Sequence, residues 1–333
     1  MISLNILVTG GAGYIGSHIV QSLLQANNRV IVLDNLSKGH REAVPVDVFI
    51  EGDLADRGLL DRVFREEEID GVIHLAADSL VAESMAKPGK YYYNNICNGL
   101  NLLEAMVKHQ VKYLVFSSTA AVYGEPEVIP IPEEHPTIPT NPYGESKLFF
   151  EKILARYQQI HHLQYISLRY FNAAGADPAG QLGEAHHPET HLIPLVLKQA
   201  LGSSDKFFLF GDDYPTEDGS CIRDYIHVND LAQAHLLALH SLTAGMDSAI
   251  YNLGNGQGYS VKEVLQVAGE VTGKLIETEI RPRRAGDPAV LVASSKKIKE
   301  QLGWQPCVID LKEIIETAWQ WHRKGGFNGT EQK

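Results

Sequence analysis

Cysteine is scarce in this chain of 333 residues: Cys97, Cys221 and Cys307 are far apart and odd in number. They make neither a disulfide framework nor a zinc-binding spacing, and a reducing cytoplasm is the compartment expected. Positive charge is also short. Lys and Arg total 29 against 41 Asp and Glu, a formal net charge of −12, which argues against a nucleic acid or an anionic membrane surface as main partner. It leaves room for a few placed arginines to hold an anionic small molecule. No uninterrupted apolar run reaches about 18 residues, so no membrane span is expected. Met1–Gly10 lacks a basic region, a long apolar run and a cleavage site, so no signal peptide is expected either.

What is present is ordinary for a globular protein, with 44% hydrophobic and 21% charged residues. The length corresponds to roughly two domains of about 150 residues. In the first half, short β-branched runs (4–9, 30–33, 46–50, 72–75, 113–117 and 165–169) alternate with segments of helical spacing at 13–27, 57–67, 90–109 and 143–161. Strand and helix in alternation predict an α/β protein with a Rossmann-type, doubly wound parallel sheet, whose ligands bind beyond the carboxyl ends of the strands. After Asn172 the texture changes. A loop rich in Gly, Pro, Asp and His spans 175–188, and a second loop spans 211–220. Helical patterns recur at 191–201, 261–272 and 311–323, with a βα-like pair near 229–254. Residues 1–172 are expected to form the first domain. Residues 173–333 mainly form a smaller mixed α/β domain, with segments near 224–254 packing back onto the first.

Gly10, Gly13 and Gly16 follow the first strand and open a helix. Glycine suits a tight turn there and lets a diphosphate approach the first helical N–H groups. Asp34 ends the next strand about 20 residues later, where a carboxylate accepts from ribose hydroxyls and repels a 2′-phosphate. The cofactor read from this pattern is NAD rather than NADP. Asp53, ending the third strand, is placed to contact adenine or to cap a helix. Farther on, Tyr143 and Lys147 lie one turn apart on one helical face, a spacing that lets an ammonium lower a phenol's pKa and make it a usable base. Thr119 follows a strand end one loop upstream and offers a hydroxyl to a substrate.

These residues together resemble the extended short-chain dehydrogenase/reductase superfamily over nearly the whole chain, and more narrowly the UDP-hexose 4-epimerases. The specific part of the resemblance is the block 210–228, from Phe210-Gly211-Asp212-Asp213 through Arg223-Asp224-Tyr225-Ile226-His227-Val228. Asp34-Asn35-Leu36, Leu168-Arg169-Tyr170-Phe171-Asn172, Tyr251-Asn252-Leu253-Gly254 and Arg283-Arg284-Ala285-Gly286-Asp287 support it. The resemblance implies that UDP-galactose and UDP-glucose are interconverted on a tightly held NAD. Tyr143 takes the proton of the 4′-hydroxyl while C4 gives up hydride, and the 4-keto sugar turns over and is reduced on its other face. Thr119 hydrogen-bonds the reacting oxygen, and Lys147 grips the nicotinamide ribose.

The resemblance extends the cofactor site to Tyr14, Ile15, Asn35, Leu54, Leu75, Ala76, Ala77, Asn94 and Tyr170. It assigns the nucleotide sugar to the second domain. Arg223 and Arg284 pair with the diphosphate, whose oxygens suit guanidinium donors, and Asn172 donates to the same group. Tyr225 and Asp287 lie near the uridine ribose, Phe210 near uracil, and His191 and Leu192 at the nucleotide. The superfamily's pairing of helices near 90–109 and 143–161 implies a homodimer.

Three departures from the family pattern stand out. Ser79 occupies a position where a lysine often contacts the cofactor, and is given no catalytic role. His191 replaces an asparagine. Leu291 replaces a tyrosine or a smaller residue that limits the sugar pocket, which leaves UDP-N-acetylhexosamines open. His187 and His191 share helical spacing, with His186 beside them, yet no cysteine or carboxylate arrangement completes a site in the sequence, so no metal is expected. A nucleotide-sugar dehydratase needs an acid/base pair after the threonine, and Ala120-Ala121 cannot transfer protons. Decarboxylation, or epimerisation of uronic acids or pentoses, stays open because those reactions share the Tyr/Lys pair. A catalytically silent NAD-binding regulator is disfavoured by intact Thr119, Tyr143 and Lys147.

Overall fold

The computed structural model describes residues 3–202, 206–284 and 286–327. The first part of the chain runs β1 (Asn5–Thr9), α1 (Tyr14–Gln25), β2 (Arg29–Asp34), β3 (Val48–Glu51), α2 (Arg57–Glu66) and β4 (Gly71–His74). It continues through α3 (Val81–Ala86), α4 (Pro88–Tyr92), a π-helical turn over Tyr93–Asn98, α5 (Gly99–Lys108), β5 (Tyr113–Thr119), α6 (Pro142–His161) and β6 (Gln164–Tyr170). Then follow β7 (Asn172–Ala174), α7 (Leu192–Ala200), β8 (Phe207–Phe210), β9 (Ile222–His227), α8 (Val228–Thr243), β10 (Ala249–Leu253), β11 (Gly258–Ser260) and α9 (Val261–Thr272). The chain closes with β12 (Thr278–Arg281), β13 (Val290–Leu291), α10 (Lys296–Leu302) and α11 (Leu311–Arg323).

Among the described residues, seven strands form a parallel sheet in the order β10-β6-β5-β4-β1-β2-β3. Successive side chains of a strand face opposite sides, so each strand feeds two cores. Ile6 and Val8 pack with Ile19, Val20 and Leu23 of α1 and with Leu231, Ala234 and Ala238 of α8. Leu7, between them in sequence, packs on the other face with Leu60 and Phe64 of α2, Leu102 and Met106 of α5, and Phe150 and Leu154 of α6. With helices over both faces, β1, β2 and β4 carry continuous apolar runs (Ile6–Val8, Val30–Leu33 and Val72–Ile73) rather than alternating, as in other doubly covered parallel sheets.

The remaining strands build a smaller layer. β9 pairs antiparallel with β11, while β13 and β7 pair in parallel with its first and last residues. β8 and β12 form a separate parallel pair. A third core joins Ile193, Val196 and Leu197 of α7 to Val261, Val264 and Ala268 of α9 and to Leu311, Ile314, Ile315 and Ala318 of α11. The two parts are threaded together. β10 returns to the large sheet beside β6, with Tyr251 opposite Leu168, and Ile298 and Trp304 fill the first core.

Sequence and structure differ in local ways. The helix expected over 90–109 is broken: α4 and α5 flank the π-helical turn, which buries Asn95 and Asn98. Such turns often mark functional sites, and here the extra residue turns amides inward toward Asp78 and Asp53. The pair near 229–254 runs helix then strand. His187 and His191 do not share a helix, because 177–191 is irregular and α7 begins at Leu192.

Candidate active site

The ends of β1, β2, β4, β5 and β6 of the sheet converge on the candidate site. After β1, the backbone turns at Gly10 (φ 74°), where a Cβ would lie 2.6 Å from the Ala76 nitrogen. A Cβ on Gly16 would lie 2.3 Å from the Gly10 carbonyl oxygen. Gly13 is different, because its Cβ would meet only the Gly10 oxygen, at 3.4 Å. Gly13 is also the N-cap of α1, which has no side-chain cap and no acidic residue in its first turn. An uncapped helix start with an open cradle in front of it suits a diphosphate. Tyr14, just inside the helix, is buried and donates its hydroxyl to the Gly175 carbonyl at 2.7 Å. Ile15 is half-buried and packs against the first core.

At the end of β2, the buried Asp34 carboxylate accepts from the N–H groups of Ala12 (2.9 Å) and Leu36 (2.8 Å). Burial raises its pKa, and those two N–H donors offset part of the effect. Asn35 donates to Asp53 Oδ2 at 2.7 Å, and Asp53 Oδ1 accepts from the Ala55 N–H at 2.8 Å. Asp53 therefore does not cap α2; Asp56 does, accepting from Leu59 N at 2.9 Å. Asn98 reaches Asp53 from the π-helical turn and also donates to Asn94, whose own amide donates to Asp78 at 3.0 Å. Leu54 is buried in the second core. The Leu75 and Ala76 N–H groups both donate to the Thr9 carbonyl, fixing the turn after β4 against the glycine loop. Ala77 is half-buried, and Ser79 is exposed on the loop that follows.

Thr119 at the end of β5 accepts from the Ala121 N–H at 3.2 Å, and its hydroxyl lies close enough to the Tyr143 phenol to lower the phenol's pKa. Tyr143 is presented by the first turn of α6, which Asn141 caps by accepting from Gly144 N at 2.9 Å and which Pro142 opens. Burial raises the Tyr143 pKa, and the Thr119 hydroxyl draws it partly back. The lowering by Lys147 expected from the spacing is not what governs the phenol here. Lys147 is 3% exposed, donates to the Ser117 carbonyl at 2.8 Å and lies 4.9 Å from the Phe116 ring centroid. Burial pushes its own pKa down to about 7, against the opposing pull of Glu151. Burial penalises the charged form of both groups, the phenolate of Tyr143 and the ammonium of Lys147. Tyr170, at the end of β6, meets the Ser117 hydroxyl.

On the other side, Arg223 of β9 is 12% exposed at its side chain and pairs with Asp287, and its Nη1 donates to the Ile222 carbonyl at 2.7 Å. Arg284 lies 4.0 Å over the Phe210 ring. Leu291 is registered opposite Arg223 and packs on the cluster containing Val122, Tyr123 and Phe171. Asn172 of β7 is paired with the buried Tyr225 of β9. Arg223, Asp287, Arg284, Phe210 and Leu291 thus line the same region, as do Asn172 and Tyr225. Leu192 begins α7 and is half-buried. His191 caps that helix without a side-chain cap bond, its ring engaged instead by Glu184 at 2.7 Å and Glu189 at 3.0 Å. Although burial opposes its charge, the two carboxylates hold His191 up at about 10, and the two histidines bring Glu184 down to about 2 despite its burial.

Sequence reasoning passed over some of the site's supports. Glu151, one turn beyond Lys147, is buried and binds Arg169 at 2.9 and 2.5 Å and the Ser118 hydroxyl at 2.5 Å. Its four-residue spacing from Lys147 was the available signal. Glu184 and Glu189 stand with His186 and His191, an arrangement of carboxylates that linear spacing did not reveal.

The NAD dependent epimerase/dehydratase family matches residues 6–254, and the chain belongs to that family. Its similarity to particular members is high. A UDP-glucose 4-epimerase of Halalkalibacterium halodurans is 58% identical over 319 residues, 96% of each chain. A crystal structure of a UDP-glucose 4-epimerase superposes with a TM-score of 0.94 at 55% identity, covering 97% of this chain and 99% of the other. The Bifidobacterium longum UDP-glucose 4-epimerase, crystallised with NAD+ and UDP, superposes with a TM-score of 0.92 at 41% identity, covering 98% and 99%.

Proposed function

We propose that this protein is an NAD-dependent UDP-glucose 4-epimerase that interconverts UDP-galactose and UDP-glucose through a transient 4-keto sugar. The observation that carries the reading is the placement of Tyr143 and buried Lys147 on the first turns of α6 against the end of β5, where Lys147 donates to the Ser117 carbonyl and Thr119 ends the strand. The high identity to UDP-glucose 4-epimerases supports the same activity.

The residues fit NAD: the open Gly13 cradle and uncapped α1 suit the diphosphate, and the buried Asp34 carboxylate suits ribose hydroxyls rather than a 2′-phosphate. When bound, NAD would supply the hydride-accepting and hydride-donating chemistry that inversion at C4 of the sugar needs. As the phenolate, a form that the cationic nicotinamide ring of bound NAD would favour against burial, Tyr143 Oη would receive the proton of the 4′-hydroxyl and give it back, with Thr119 Oγ1 orienting the exchange. Lys147 holds the nicotinamide ribose, and Gly10, Gly16, Tyr14, Ile15, Asn35, Asp53, Leu54, Leu75, Ala76, Ala77, Asn94 and Tyr170 complete the cofactor bed. Arg223 and Arg284 hold the sugar nucleotide's diphosphate with Asn172. Asp287 and Tyr225 attend its ribose, Phe210 its uracil, and His191 and Leu192 the nucleotide's rim. Asp287 already pairs with Arg223, so the two form a preset fork for a ribosyl diphosphate. Residues 1–172 serve mainly the cofactor and 173–333 mainly the sugar nucleotide, with β10 and α8 returning to the first part.

A second reading, that UDP-N-acetylhexosamines are also epimerised, is favoured by Leu291, which is shorter than tyrosine and stands opposite Arg223. Exposed Tyr93 (62%) and Phe149 (45%), on the π-helical turn and α6, support a homodimer through those helices. No described helix is long and apolar enough to cross a membrane, and scarce cysteine supports a cytoplasmic setting. The test is to incubate the purified protein with UDP-galactose and, separately, with UDP-N-acetylgalactosamine, and to follow inversion at C4. Inversion of the first is expected, and Tyr143→Phe should reduce it at least ~100-fold while bound NAD is retained. Absence of inversion in both, with NAD bound, overturns the reading.

A further inference from the structure

The segment between β7 and α7 brings four side chains together that the proposed reaction does not use as a group. One potential ligand atom from each of Glu184, His186, Glu189 and His191 falls within 4.8 Å of the others. His191 Nδ1 is 2.7 Å from Glu184 Oε1 and 3.0 Å from Glu189 Oε1, and His186 Nδ1 is 3.0 Å from the same Glu184 oxygen. The carboxylates are deep, 5% and 3% exposed at their side chains, whereas His191 is 44% exposed and opens the cluster to solvent. Glu189 Oε2, the second oxygen of the carboxylate that meets His191, is buried and has no hydrogen-bond partner among the described residues. An acceptor left in that state inside a protein calls for a missing partner.

We propose that Glu184, His186, Glu189 and His191 bind a divalent first-row transition ion of the zinc type, which staples this segment over the glycine loop. Two imidazoles and two carboxylates are a donor set such ions accept, and a tetrahedral ion with bonds of about 2.0–2.2 Å spaces its ligands by roughly 3.4 Å, within the spread of the cluster. A +2 charge balances the two carboxylates while both imidazoles ligate as neutral rings. The staple acts on the cofactor side because the segment is already tied there. Lys38 Nζ donates to the His187 carbonyl at 2.8 Å, His40 Nε2 lies 2.9 Å from the Ala185 carbonyl, and His186 meets the edge of the Tyr14 ring.

The experiment uses the full chain with its bound cofactor, freed of metal by a chelator and titrated calorimetrically with Zn2+, with Mg2+ at equal concentration as control. One Zn2+ per chain at micromolar affinity or tighter is expected, with no Mg2+ heat. Co2+ should give the visible absorption of a tetrahedral N/O site. Glu189→Gln and His186→Ala, each checked for native circular dichroism, should weaken Zn2+ at least about 10-fold, since even outer-shell losses cost that much. His187→Ala should leave binding unchanged. Absence of saturable Zn2+ binding, or Zn2+ binding that both cluster variants leave within twofold, overturns the site and returns the four residues to an ion-pair network.

Discussion

Lys147 is the residue at which the demands of folding and of chemistry conflict most directly. Its ammonium is nearly without solvent, and burial moves its pKa from 10.5 to about 7. Below pH 7 both the folded and the unfolded chain carry the proton, and the desolvation penalty is present in full. Between about 7 and 10.5 the unfolded chain binds more protons, so the stability attributable to this lysine rises with pH across that window. Lys147→Met, compared with the parent in the absence of cofactor, should therefore have the higher urea midpoint below pH 7. The gap should close as pH approaches 10.5, and a gap independent of pH would remove burial of the charge as its cause. The glycines offer a second residue-scale test. Gly16→Ala forces a Cβ against the Gly10 carbonyl and should lower the thermal midpoint. Gly13→Ala meets no such clash, so it should leave the midpoint near the parent's and instead weaken NAD retention, read as faster loss of cofactor on gel filtration.

At the scale of elements, the join of α6 to β6 holds the site in place. Glu151 and Arg169, 3% and 5% exposed at their side chains, form an ion pair that also anchors Ser118 of β5 and the Tyr123 hydroxyl. Removing one charge of a buried pair leaves the other stranded, at about 3–5 kcal/mol. Glu151→Gln should lose stability on that scale in urea, and the double variant with Arg169→Met should lose less than the sum of the single changes. Additive losses would show that the pair is not a unit. Elements of this kind divide what was legible in the sequence from what was not. The strand–helix alternation, α9 and α11 announce themselves through long periodic patterns, and the glycine loop and Asp34 through fixed spacing after a strand. β7, β11 and β13 hold two or three residues each, too few for a period, and exist because β9 offers them an edge. Glu184 and Glu189 reach His186 and His191 through an irregular loop, so no periodicity encodes their meeting. Arg223 and Asp287 are 64 positions apart in the chain and come together only when β13 returns to β9.

For the whole molecule, the threading of the two parts predicts one cooperative unit. All three tryptophans, Trp304, Trp319 and Trp321, lie in the last forty residues, yet they report on different places. Trp304 is fully buried in the first core, its Nε1 donating to the Asp230 carbonyl at 3.1 Å, whereas Trp321 covers Gly183 and donates to the Glu184 carbonyl. A variant keeping only Trp304 (Trp319→Phe, Trp321→Phe) and one lacking only Trp304 (Trp304→Phe) should unfold in urea with midpoints that match their own far-ultraviolet circular dichroism. Separated midpoints within one variant would mean that the parts melt independently.

The return of β10 to the large sheet also has a consequence during synthesis. When residues 1–170 have left the ribosome, β6 is the edge of a six-stranded sheet, with the backbone of Ile166–Tyr170 open on its outer side. That edge stays bare until a further eighty or so residues have been translated and Ala249–Leu253 can dock. Ile166, Leu168 and Tyr170 are hydrophobic while Ser167 and Arg169 are polar, and an unpaired backbone edge invites pairing with other chains. Nascent molecules are thus most exposed to misassembly while residues 171–249 are being made, and a stall in that stretch is where chaperone engagement on the ribosome would be greatest.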